Sequence, residues 1–255
     1  SRNPAAGQGA ADVESLSCRG GVTLQNKTFD NTGQVSADQM QMREITINQV
    51  SGVIDGRGPG WITSIRRGSG MGEGSPLSLP GASSGAEKKK GEEGFSYLNV
   101  RFEGPIGGNF HKKEITFSDQ VRAIYGPVAH WEAKIDPDSP DDLGPEAMLL
   151  NSDMLVVRMM PAIARDGNET AEIEALGNTL VEGRSFTARA HKLAYAQAKD
   201  QMILEGNTNT DAQIFRQEHP GAPMSQSAAK KIVYSRSTNH AEFVGVRYLG
   251  VGNIT

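Results

Sequence analysis

The sequence predicts an all-β protein of stacked antiparallel strand repeats with one apolar inner face. Three observations predict it. Apolar and polar residues alternate with period two along most of the chain, the pattern of strands with one buried side. Thirty glycines punctuate those runs with turns. The third is an internal echo: the segment 186–206 returns 39 residues later, so that Ala190, Lys192, Tyr195 and Gly206 recur as Ala229, Lys231, Tyr234 and Gly245. In the same alignment Leu193, Asp200 and Leu204 match Ile232, Asn239 and Phe243. A fixed period of this size marks stacked supersecondary units.

Composition agrees. The chain has 255 residues, 37% of them hydrophobic, with a mean hydropathy of −0.44. That is too apolar for disorder throughout and too polar for dense helical packing; it suits thin β layers. The net charge of −4 does not advertise a nucleic-acid partner. Cys18 is the only cysteine, so no intrachain disulfide forms. No apolar run approaches the ~18–20 residues of a membrane span. The chain opens on SRNPAAGQGAADVES, without Met or a signal-like apolar stretch, and reads as a fragment or a processed form.

Residues 1–20 are small and polar and read as a disordered lead-in to a β solenoid over 21–250. Strand patterns follow over 22–25, 33–42 and 44–54, the last with Ile45, Ile47 and Val50 facing inward. In 56–67, Trp61, Thr63 and Ile65 share a face. Residues 68–94 are rich in Gly, Ser, Pro and charge and read as a flexible low-complexity loop. Alternation resumes over 95–104, with Phe95 and Tyr97 on one side and Leu98, Val100 and Phe102 on the other. Strands are expected over 113–119, 121–126 and 148–160, and a polar turn over 164–170. Propensity alone would make 190–201 a helix. Its repeat partner is β-branched and turn-rich, so a strand is expected in both.

With the C-terminal pair as template, a short signature of small, polar, polar and aliphatic residues occurs five times. It reads Ala37-Asp38-Gln39-Met40, Ser118-Asp119-Gln120-Val121, Ser152-Asp153-Met154-Leu155 (with Met at the second polar place), Ala190-His191-Lys192-Leu193 and Ala229-Lys230-Lys231-Ile232. The starts lie 81, 34, 38 and 39 residues apart. The first gap is double, with a unit missing there or opened into the loop. Each unit is expected to be an up-and-down pair of strands that cannot bury its apolar face alone.

The run of Ala-Asp-x-aliphatic-x-Tyr, polar turn, apolar strand and Gly resembles the repeat of the LptA/OstA-like family of periplasmic lipopolysaccharide-transport proteins. The matching segments are 36–42, 188–207 and 227–245, with His191 and Lys230 in place of the usual acid and Met42 in place of Tyr. The resemblance implies an open, V-shaped β-jellyroll or β-taco solenoid. It implies an apolar cleft for the acyl chains of lipopolysaccharide or a similar lipid, and edge-to-edge joining with copies or related modules by strand addition. It also implies a periplasmic or cell-envelope location in a Gram-negative-type bacterium. The cleft residues carried over are Met40, Met42, Leu193, Tyr195, Met202, Leu204, Ile232, Tyr234 and Phe243. Alternation shows which face is apolar; it leaves open whether that face lines a cleft or a closed core.

No catalytic set, metal site or cofactor motif is read. His111, His130, His191, His219 and His240 are scattered without metal-ligand spacing. Asp136, Asp138, Asp141 and Asp142 fall in a Pro-rich loop and read as solvated; their spacing is not that of an EF-hand. The run GSGMGEG lacks the ending of a phosphate loop. The expectation is therefore a non-enzymatic module, either a lipid carrier or a structural and assembly segment. A polysaccharide-active enzyme with loop carboxylates is the remote alternative.

Overall fold

The computed structural model describes residues 14–31, 33–67, 94–136, 138, 144, 147–160, 170–183, 186–199, 201–216, 224–235 and 240–250. The described chain is almost wholly antiparallel β. Its strands are β1 (Ser15–Asp30), β2 (Gly33–Asn48), β3 (Val53–Arg57), β4 (Gly60–Arg67), β5 (Phe95–Phe102), β6 (Pro105–Asn109) and β7 (Glu114–Val128). They continue with β8 (Met148–Met160), β9 (Thr170–Gly183), β10 (Phe186–Ala196), β11 (Gln201–Glu205), β12 (Ala212–Arg216), β13 (Ser225–Ser235) and β14 (His240–Leu249). A 3-10 turn, Gln197–Lys199, follows β10. Residues 190–196 are thus strand, as the repeat required.

All the strands belong to one sheet, and pairing follows chain order. β3 and β4 both pair with β2, and both are mirrored on the other side by β6 and β5. They are two halves of one path, broken at Gly58-Pro59. β5 and β6 are likewise halves of one path broken at Glu103-Gly104, and both pair with β7. β11 and β12 are halves of a third, pairing with β10 on one side and β13 on the other. The fold is therefore a simple meander in which every path crosses one common line.

That line is a crease. Register breaks fall on it at Arg19/Val22 in β1, Ser118/Val121 in β7, Asn151/Met154 in β8, Ala190/Lys192 in β10 and Ala228/Ala229 in β13. An extra residue at a bulge bends a strand and resets which side its residues face. The crease divides the sheet into two arms. Apolar residues from both arms, such as Ile106 and Phe117 on one side and Phe102 and Val121 on the other, form one core cluster.

The signature has a structural meaning: four of its five copies sit on the crease. In the last three copies the small residue (Ser152, Ala190, Ala229) and the aliphatic residue (Leu155, Leu193, Ile232) face the interior. The two residues between them point outward, so the alternation restarts in phase on the second arm. The first copy is a correction. Ala37-Asp38-Gln39-Met40 lies within one arm, paired to β4, and the crease of β2 falls at Met42-Arg43-Glu44-Ile45. Small-polar-polar-aliphatic strings arise by chance in any alternating strand, and only the backbone break marks the true site.

The double gap also resolves. Two bent paths fill the interval, β3/β4 and β5/β6, with Gly58-Pro59 and Glu103-Gly104 at the crease in place of the signature. Backbone bonds carry the pairing across it, from Gly58 N to Gly104 O (2.8 Å) and from Gly104 N to Ser118 O (3.0 Å). Most of the expected loop, 68–93, lies outside the described residues, as do residues 1–13 and the turn 164–169. Residues 15–20, expected in the lead-in, instead form the start of β1, because an edge strand is held by backbone pairing and needs few apolar side chains. Val50, expected inward, is 73% exposed, since the β2–β3 turn begins before it.

A second, smaller core lies on the outer face of one arm. Ile65, Tyr97, Ile124 and Leu149 are buried there under Trp131 and Ile135 of the β7–β8 connection. Phe95 and Trp131 meet edge to face at 4.7 Å between centroids. Gly126 admits this strap: a Cβ there would meet Ile135 at 2.7 Å. Asp138 pins the strap by bridging Arg101 (2.9 Å) and Arg122 (2.7 Å). The two-sided apolar pattern of β5 reflects burial on both faces.

Glycines on one path are covered by crease residues of the next. Asp119 lies over Gly104, Asp153 over Gly177 and Lys230 over Gly245. Gly177 has φ +72, and a Cβ there would collide with Asp153. Gly177→Ala is expected to destabilise the protein by about 2 kcal/mol in urea unfolding, from the left-handed backbone and the clash together. Gly107→Ala, where a Cβ meets nothing within 4 Å, should stay within about 0.5 kcal/mol of the parent. Equal effects at the two positions would contradict the role given to the crease.

Candidate functional site

The site is the apolar interior between the arms. The chain builds it by pairing successive inward residues in register. Leu193 faces Leu204, and Tyr195 faces Met202, across β10 and β11. Met202 in turn faces Tyr234, and Leu204 faces Ile232, across β11 and β13. Ile232 faces Phe243 across β13 and β14. The two halves of the echo are therefore adjacent hairpins, and their matching residues form continuous cross-strand rows.

All nine expected cleft residues lie on this inner face. Seven are buried: Met42, Leu193, Tyr195, Met202, Leu204, Ile232 and Tyr234, with exposures between 1% and 6%. Met40 and Phe243 are partly buried and pack against the same cluster. The structure brings them together in one interior, but not beside one another. Met40 and Met42 sit near the β1 end, and the other seven sit toward the β14 end. Between them the interior is lined by residues not carried over as cleft residues, among them Phe102, Phe117, Val121, Leu150 and Val181. The alternation in 95–102 and 121–125 was the signal for several of them.

At its centre this interior is closed to water in this conformation, and it loosens at the ends. At the β1 end Leu24 and Met40 are only partly covered. At the β14 end Val246 and Leu249 follow Phe243 and are 46% and 53% exposed. The interior also meets buried hydroxyls near the crease. Ser152 Oγ and Thr179 Oγ1 are buried near the crease without a hydrogen-bond partner. A buried hydroxyl left in this state carries an energetic penalty.

The outer face of the arm carrying Leu193 and Ile232 is held by an alternating ladder of charge. Glu114 accepts from Arg158 Nε at 2.5 Å, and Arg158 also reaches Glu174 at 3.4 Å. Lys192 meets Glu174 at 2.6 Å, and Lys231 meets Glu205 at 2.9 Å. Lys192 and Lys231 are signature residues, so the outward half of the signature staples the arm while the inward half lines the interior. The Lys192 hydrogen bond, with Arg158 behind it, lowers the pKa of Glu174 below its ordinary value near 4.5. Among the described residues no group of three or more His, Cys, Asp or Glu side chains is placed to hold a metal ion. Asp136 and Asp138 serve the strap, with Asp136 accepting from the Asp138 amide at 3.0 Å.

No family model matches the chain, and no curated protein does. Among solved structures it is similar to LptH, described as the LptA homologous periplasmic component of the conserved lipopolysaccharide transport device from Pseudomonas aeruginosa. The likeness covers 57% of this chain and 80% of that one, at 9% identity and a TM-score of 0.37. A likeness at that level does not carry a function with it.

The ladder generates a pH prediction. A carboxylate whose folded pKa is depressed contributes stability that is present above its unfolded pKa and is lost as pH falls through the folded value. Glu174→Gln should therefore lower stability by about 1 kcal/mol at pH 7, a modest figure for a partly exposed network. The difference from the parent should shrink as pH drops below 4.5. A difference that holds constant down to pH 2 would show that Glu174 acts through packing instead.

Proposed function

We propose that this protein is a non-enzymatic envelope module that holds the acyl chains of lipopolysaccharide, or of a similar lipid, between its two arms. One observation carries the reading: a continuous apolar interior contributed by both arms, sealed at its centre and loosened at both terminal strands. An ordinary β core has no need of partly open ends lined by Met40, Phe243 and Val246. The LptA/OstA-like signature supports the same reading, because its copies on the crease place their aliphatic residues on this inner surface. Acyl chains are flexible rods that gain by leaving water, at roughly 0.8 kcal/mol for each buried CH₂, enough over a chain to offset partial separation of the arms. Among the described residues no helix is long and apolar enough to cross a membrane. The location that fits the reading is the periplasm.

The test is saturable uptake of an apolar fluorescent probe and its displacement by a long-chain amphiphile. Phe243→Asp, at the loosened end, should weaken displacement about tenfold without changing the fold, because a carboxylate would be desolvated on entry. No uptake by the parent protein would sink the proposal.

A second reading, edge-to-edge assembly, is favoured by the two terminal strands. Among the described residues β1 pairs only with β2 and β14 only with β13. β14 presents Val244 and Tyr248, 49% and 54% exposed, without a covering element among the described residues. Long exposed edges of this kind template strand addition. Scattering should show oligomers that grow with concentration and are lost in Val244→Lys. Monomers at millimolar concentration would remove this reading and leave the lipid proposal standing.

A further inference from the structure

The crease bears a cavity on its outer side, away from the apolar interior. Elsewhere, crease residues such as Asp119, Asp153 and Lys230 cover the glycines of the neighbouring path. Where β1 crosses the line, its two glycines are bare. A Cβ placed on Gly20 or on Gly21 meets nothing within 4 Å. The result is a cavity of about 380 Å³ lined by Gly20, Gly21, Arg43, Glu44, Arg57 and Gly58.

Its charge is mixed, with arginine in excess. Arg19, Glu44 and Arg57 stand directly opposite one another on successive strands, and Arg43 precedes Glu44. Arg43 and Arg57 line the cavity with one carboxylate, Glu44, which meets Arg57 at 3.1 Å. Among the described residues no carboxylate pairs with Arg43. That lining carries two arginines to one glutamate, an excess of one positive charge in a chain whose net charge is −4. Gly20 and Gly21 fall in the register break of β1, have φ of +84 and +95, and have no Cα partner in β2. Guanidiniums beside backbone that no Cβ shields are placed to donate to an oxyanion.

We propose that this cavity binds a phosphate group carried on a small polar body, with Arg43 and Arg57 as its charged donors. Arginine matches the geometry of a phosphate with paired N–H groups, and lysine would supply only a point charge. The volume exceeds that of phosphate alone and accommodates a glycerol or sugar that carries it. The phosphate could belong to a soluble phosphomonoester or to a lipid headgroup lying across the crease. The inference does not rest on the acyl-chain proposal, because cavity and interior lie on opposite sides of the sheet.

The experiment uses the full chain with three probes. Inorganic phosphate and glycerol 3-phosphate are titrated by calorimetry. Flotation is measured with phosphatidylcholine vesicles with and without phosphatidic acid. At least one probe should bind, and Arg43→Gln and Arg57→Gln should each weaken it roughly tenfold, with unchanged melting temperature. Binding of the soluble phosphates assigns a free phosphomonoester; binding only to phosphatidic acid vesicles assigns a headgroup. Failure of all three probes overturns the proposal. So does an affinity unchanged in both variants, or an equal loss in Arg66→Gln on the other arm, which would reduce the effect to bulk charge. Uptake of the apolar probe should be unaffected in Arg43→Gln, so the two sites fail separately.

Discussion

Everything in this fold depends on each strand path bending at the same line. A strand that alternates strictly cannot turn a corner and keep its apolar residues on the inside. The extra crease residue solves this, placing two successive residues outward and restarting the alternation in phase. Neighbouring paths must then do the same at the same height, or cross-strand pairing fails. That requirement explains the glycines beneath Asp119, Asp153 and Lys230. It also explains the small inward residues Ser152, Ala190 and Ala229, which sit where the two arms converge and space is least.

One short string therefore serves two faces. Inward, Leu155, Leu193 and Ile232 join a single apolar interior spanning both arms. Outward, Lys192 and Lys231 tie neighbouring paths through Glu174 and Glu205. The arms are stiffened along the sheet by these pairs and by backbone ladders. Across the gap between them only side-chain packing holds. Spreading the arms would break only that packing, whereas parting the strands would break the backbone ladders as well.

Much of this was legible in the sequence, and the exceptions have physical reasons. Period-two alternation marked the strands, and the 39-residue echo removed a helix that Ala190–Gln201 would otherwise suggest. The hairpins at 186–205 and 225–249 are indeed equivalent in register, Leu193 with Leu204 and Ile232 with Phe243. The first signature copy was misplaced because its residues satisfy the string while the bend is made by Met42-Arg43-Glu44-Ile45, which has a large residue at the small place. The strap over Tyr97 and Ile124 was not legible, since it needs a loop to return across a face that alternation leaves unassigned. The cavity beside Arg43 was invisible for another reason: it is made by side chains that glycine does not have.

The central claim is that the inner face of both arms is the surface that meets a lipid chain. A photoactivatable fatty acid, cross-linked to the protein and mapped by mass spectrometry, tests it directly. The account predicts adducts on inward residues of both arms, such as Leu193, Met202 and Ile232 on one and Met40 and Leu98 on the other. Adducts confined to outward residues such as Trp131 and Val244 would contradict it, and would make the interior an ordinary closed core.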